Sequence, residues 1–273
     1  MKILRGRTLL HLLLVLVIPL LTVAGCGNVS EAPTIPPVET FTIPLEEFSG
    51  MGDLVTLTGA NQSNWDFAAG IVLTWGAILI ITLAVPVAAF RASFQHTPVQ
   101  QPDGSWIWSY SVPIGNATYT AELHAEFDTE VIAEGVHWSM NISKEGVYED
   151  FLWYYGECNL PATEGFWILK ESEAVPTDLI RIDWSRNISA GTHAAKFTNI
   201  VPGAPENGGY IDAQYTKGTP YDYISDLYNK VTDNHTYIDW SSTTGAGRVK
   251  NLNYFGDGDW HCWAGNRTNV ACS

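Results

Sequence analysis

The chain has 273 residues and a net charge of −15, with only 14 Lys and Arg in a composition that is 46% hydrophobic and 12% aromatic. Recognition of a phosphate backbone needs clustered cations, so this balance argues against nucleic acid as a partner. The length supplies one large or two small domains, and 11 Trp with 12 Tyr imply rings used in packing or in binding.

The N-terminus reads as an export signal over residues 1–25. Lys2, Arg5 and Arg7 form a positive region, Leu9 to Leu21 is apolar apart from His11, and the small residues Ala24 and Gly25 precede Cys26. The stretch Leu21-Thr22-Val23-Ala24-Gly25-Cys26 resembles the lipobox of bacterial lipoproteins. That resemblance implies an acylated Cys26 as the mature N-terminus, a location in the bacterial cell envelope and a membrane partner held through the lipid. Several acyl chains, at roughly 0.8 kcal/mol per buried CH₂, suffice for stable anchoring. The other reading is an ordinary secretory signal with a chance Cys. Seven Asn-x-Ser/Thr tripeptides, beginning at Asn28 and Asn61, read either as glycan acceptors or as the polar faces and turns of a β-rich chain.

Residues 26–50 contain Pro33, Pro36, Pro37 and Pro44 without periodicity, which predicts an extended tether. Residues 51–273 then form a single β-rich domain. Its first feature is the uncharged run Phe67 to Phe90, expected as a long apolar helix over about 65–95, with Asn64 or Asp66 as its cap. At 1.5 Å per residue such a helix would be roughly 36 Å long, enough for a hydrocarbon core of roughly 30 Å. Two readings therefore stand: a helix buried against a sheet, and a membrane span. The second would return the rest of the chain across the membrane, away from the compartment its cysteines suit.

After Pro98 the chain alternates with period two. Tyr119, Ala121, Leu123, Ala125 and Phe127 share one strand face, and Val136, Trp138, Met140 and Ile142 another. Trp106, Trp108, Tyr110 and Val112, and later Ile180, Ile182 and Trp184, repeat the pattern between Gly-rich turns. "IDWSRNISAG" at 182–191 is echoed by "IDWSSTTGAG" at 238–247, a hairpin with an inward Trp used twice. The fold class expected is mainly β with one long apolar helix: a large curved antiparallel meander of roughly eight to eleven strands, half-barrel-like and packed around the helix. In architecture alone this is similar to periplasmic lipoprotein carriers, and the C-terminal stretch resembles the endings of uncharacterised bacterial lipoproteins.

Export places the cysteines in an oxidising compartment. Cys262 and Cys272 close a short loop and are expected to pair, leaving Cys158 as a buried thiol or a competitor. Asp257, Asp259 and His261 carry metal-ligand chemistry, but their spacing fits no defined loop and the glycines around them predict a turn. Trp106, Trp108, Trp138, Trp184 and Trp240 are candidates for an aromatic binding surface. Glu157 and Glu164 offer a carboxylate pair of the kind glycosidases use, while His124, His137 and His193 are expected on solvated strand faces. No hydrolase, zinc-protease or phosphate-loop motif is present and no cofactor is implied. The functions left are a non-catalytic binding, carrier or structural module taking a hydrophobic small molecule or a glycan, and an enzyme acting on envelope glycans.

Overall fold

In the computed structural model the described residues are 31–41, 63–128 and 135–272; over 75–82 only the helical backbone is described. All but Glu31, the last residue of the unit Met1–Glu31, belong to the compact unit Ala32–Ser273. The export signal, Cys26 and the tether outside 31–41 lie beyond the described residues.

The body is one antiparallel sheet of 14 strands in which every strand pairs with its sequence neighbours. Along the chain these are β1 (Val99–Gln100), β2 (Trp106–Ile114), β3 (Ala117–Asp128), β4 (Gly135–Lys144), β5 (Tyr148–Asn159), β6 (Glu164–Lys170) and β7 (Asp178–Asn187). β8 (Thr192–Asn199), β9 (Tyr210–Tyr215), β10 (Tyr223–Asn229), β11 (Asn234–Trp240), β12 (Gly247–Lys250), β13 (His261–Trp263) and β14 (Asn269–Val270) complete it. The sheet is open, with β1 and β14 at its edges.

Alternation assigns the faces. Leu123, Met140, Leu169, Ile182 and Ile238 are fully buried on the inner face, while their strand neighbours point outward. Three inner-face tryptophans lie over glycines on adjacent strands. Trp167 pairs with Gly156, Trp184 with Gly165 and Trp263 with Gly247, and a Cβ on any of these glycines would run into the facing ring. Each glycine is thus the space its tryptophan fills.

Helix α1 (Asn64–Ser93) starts at Ser63, which receives the Asp66 amide while Asp66 reaches back to the Ser63 amide. The cap is therefore Ser63, one residue before Asn64 and three before Asp66, which is instead the N3 partner of the capping box. α1 lies against β2, β3, β12 and β13: Asn64 Nδ2 donates to the Cys262 carbonyl, and Tyr110 donates to the Ala89 carbonyl at 2.6 Å. It reaches strands near both ends of the sheet.

The expected arrangement, a half-barrel of eight to eleven strands around one long apolar helix, is corrected. The sheet has 14 strands, and among the described residues no helix is long and apolar enough to cross a membrane. That says nothing of crossings made by strands. Where side chains are described, α1 is sided: Trp65, Ala68, Ala69, Val72, Leu83, Ala89 and Phe90 are buried, while Leu73, Thr74 and Ala84 are exposed. Burial on one side is what packing against β2, β3, β12 and β13 imposes on the helix.

The tether is corrected over the part described. A 3-10 turn, Val38–Phe41, enters the core. Phe41 packs against Phe90, Tyr154 and Trp167 at ring distances of 4.7, 5.1 and 5.0 Å, and Trp167 Nε1 donates to Thr40 Oγ1. Pro36 and Pro37, their φ fixed by the ring, lead into the turn that sets this pair into the sheet's inner face.

Candidate functional site

Two regions gather chemistry-bearing side chains, one on each face of the C-terminal half of the sheet. The outer region follows from register. Tyr228 of β10 faces Tyr210 of β9 and His235 of β11, and Asp226, two residues back, faces Asp212 and Tyr237. Directly opposed residues stand close enough to touch, so three short strands place four rings and two carboxylates in one patch. His235 stacks on Tyr228 at 4.7 Å and on Tyr237 at 5.5 Å, and Trp260 meets Tyr237 edge-on. All of these rings are half-buried.

Asp226 fixes the patch. Its Oδ1 lies 2.8 Å from His235 Nδ1 and its Oδ2 accepts from the Tyr210 hydroxyl at 2.8 Å. Burial, then the bond to Asp226, pushes the Tyr210 phenol up to about 12, so it stays a donor. Four cations lie over the rings: Lys196 over Tyr210 at 3.8 Å, Lys250 over Tyr237 at 4.7 Å, Arg248 over Trp260 at 4.0 Å and Lys230 over Tyr228 at 5.9 Å. Arg248 is held by the buried Asp239, whose carboxyl is raised by burial against the opposing pull of that arginine. The Asp226 bond thus orients the His235 ring within the stack.

The inner region is a cavity of about 290 Å³ between the 3-10 turn and the β7–β8 hairpin. Arg186 and His193 face each other across that hairpin, with Trp184 beside them and Glu39 at the mouth. From His193 a row of rings crosses the sheet: His193 to Tyr215 at 5.3 Å, Tyr215 to Tyr223 at 4.9 Å, and Tyr223 stacked on Trp240 at 4.8 Å. A second cavity, of about 340 Å³, lies between α1 and the β10–β11 hairpin and is lined by Phe67, Tyr228, Asn229, Asn234 and Tyr254 among others.

The sequence candidates are distributed unevenly. Cys262 and Cys272 form a disulfide, and Cys158 is a free, buried thiol accepting from Trp138 Nε1. Asp257 and His261 meet at 3.0 Å, but Asp259 offers Asp257 only its amide. That Asp257 carboxyl is held low by the His261 bond, and the His261 ring stacks on Phe255. The set is a turn; among the described residues no three His, Cys, Asp or Glu side chains are placed to hold a metal.

The tryptophan surface is corrected. Trp108, Trp138, Trp184 and Trp240 are buried core residues and Trp106 is half-buried, because their strand faces are the inner one. Glu157 pairs with His137 and Glu164 sits at the exposed start of β6, so they are not a facing pair. His193 shares its face with Ala195 and Phe197, and burial lowers its basicity while Glu39 raises it. It is not on a solvated face, as the sequence spacing of 193, 195 and 197 already allowed. The outer patch was missed because its residues lie ten or more positions apart and meet only through register. No family model, curated protein or solved structure matches this chain.

Proposed function

We propose that the chain is an exported, lipid-anchored envelope protein that binds glycans without catalysis, using the outer face of β8–β12. The observation that carries this reading is the patch of Tyr210, Tyr228, His235, Tyr237 and Trp260, with Asp226 fixing two of its groups. Rings of this size offer apolar platforms to the C–H faces of sugars, and the carboxylates and cations between them offer partners to hydroxyls. Fixed side chains also lose little entropy on binding, which favours a weakly interacting, many-hydroxyl ligand. The inner apolar face supports a lipid carrier less well, because Phe41, Phe90, Tyr154 and Trp167 pack together there.

Co-sedimentation of the full chain with insoluble peptidoglycan, and titration with soluble envelope glycans, test the ligand. Tyr237→Ala and Trp260→Ala, each checked for an unchanged melting curve, are expected to weaken binding about tenfold, equivalent to about 1.4 kcal/mol. Absence of binding, or binding indifferent to both substitutions, overturns the reading. The anchor has its own readout: intact mass of detergent-extracted protein should show acyl chains on Cys26.

A further inference from the structure

We propose that the cavity lined by Arg186, His193, Trp184 and Glu39 is a second binding site, one that takes the oxyanion group, carboxylate or phosphate, of a small ligand. It lies on the other face of the sheet and shares only β8 with the outer ring patch, so the two assignments stand or fall separately.

The fold itself places the cations. Ile180, Ile182 and Trp184 alternate onto the inner face of β7, and Arg186 is the next residue in that series. A strand that has buried three apolar side chains thus ends by turning a guanidinium to the same side. Its register partner His193 does likewise on β8. The Arg186 Nε donates to the Ala162 carbonyl at 2.7 Å, which sets the side chain, and among the described residues Arg186 has no carboxylate partner. Lys217 adds a third basic group. Its ammonium lies against Gly191, in the space where a Cβ would stand, and Gly191 lines the cavity.

Arg186 in the cavity wall beside His193, with Lys217 against the lining residue Gly191, is unexpected in a chain of net charge −15 with 14 Lys and Arg. Three other basic groups of this sheet are answered by acids, Lys170 by Asp178, Arg181 by Asp183 and Arg248 by Asp239, and others such as Lys196 and Lys250 lie over rings. Trp184 also lines the cavity and gives it an apolar wall, its Nε1 being buried away from the open space. A guanidinium fork matches carboxylate and phosphate oxygens, and desolvated donors strengthen such pairs. Glu39 at the rim disfavours an anion that fills the whole cavity. It favours instead a ligand with donor groups on one side and a single oxyanion on the other. The volume, about 290 Å³, suits a monosaccharide-sized molecule.

Isothermal titration of the full chain with sodium phosphate and, separately, sodium glucuronate, each against sodium chloride at equal ionic strength, tests the site. Saturable binding of at least one probe is expected. Arg186→Lys, which keeps the charge and loses the fork, should weaken it about tenfold, and the exposed Lys217→Met about threefold. Tighter binding of glucuronate identifies a sugar-borne carboxylate, and tighter binding of phosphate a phosphoryl group; both uphold the site. No saturable binding of either probe, or an affinity unchanged in either variant, overturns it. Trp260→Ala, on the outer face, should leave this binding unaltered, which separates failure of this site from failure of the glycan face.

Discussion

Trp184 lies over Gly165, its partner on the neighbouring strand, so closely that a Cβ on the glycine would stand 2.8 Å from the Trp184 ring and 2.8 Å from Cys158 Cβ. Neither neighbour can give way cheaply. Trp184 is buried between β6 and the cavity, and Cys158 is held by Trp138. Gly165→Ala is therefore expected to destabilise the fold by about 1–3 kcal/mol, the usual cost of overpacking a filled core. Gly258→Ala, at a position with open space around it, is the control and should be near neutral. Urea midpoints at constant m-value measure both.

The Tyr110–Ala89 hydrogen bond ties β2 to the last turns of α1. Tyr110 is buried, its phenol is raised well above its ordinary value by burial, and the His96 ring stacks on it at 4.7 Å. Tyr110→Phe keeps the packing and deletes the donor, so the loss should be about 1 kcal/mol, the net worth of one buried hydrogen bond. If the melting temperature is unchanged, the contact does not hold the helix to the sheet.

Much of the sheet was legible from alternation. The faces of β3 and β4 match those read from Tyr119 to Ala125 and Val136 to Ile142, because a strand with one buried face must alternate, whereas Phe127 at the end of β3 is exposed. The Ile-Asp-Trp-Ser echo does mark two hairpins, yet their turns differ by two positions: the Gly191 amide bonds to the Asn187 carbonyl, whereas the Gly245 amide bonds to that of Ser241. What local pattern could not supply was cross-strand identity. Tryptophans were read as a candidate surface since nothing in one strand tells which glycine faces it, and the rings of Tyr210, Tyr228 and His235 meet only once three strands are in register. The apolar run differs for another reason, since nothing in a charge-free stretch marks which residues, such as Leu73 and Ala84, stay exposed.

The Cys262–Cys272 bridge encloses the turn between β13 and β14, with a sequence separation of 10. Loop closure of that length is worth a little under about 3 kcal/mol in the chain-entropy picture. The double variant Cys262→Ala, Cys272→Ala should lose about 2–3 kcal/mol. Because Asn64 donates to the Cys262 carbonyl and to Asn269 gives its amide, hydrogen exchange should rise at the start of α1 as well as in β13 and β14. Protection of α1 that survives the substitution would show that its N-terminus is held independently of the bridge.

Cys158 titrates where its burial can be read directly. Desolvation pushes the thiol up from the ordinary 9.0 to about 11, against smaller opposing effects of the Trp138 N–H and of Arg186. A raised value means that folding favours the neutral thiol. The contribution is complete below about pH 9 and is lost as pH climbs toward 11, where the unfolded chain ionises and the folded one resists. Buried tyrosines titrate in the same range, so the signature is a difference: Cys158→Ser should show a shallower fall in urea midpoint between pH 9 and 11 than the parent chain. On a Cys26→Ala background, a thiol reagent at pH 8 should modify Cys158 only as fast as the protein unfolds. Rapid labelling under native conditions would mean that the junction of β4, β5 and β6 opens, and with it the packing that Trp138, Gly165 and Trp184 share.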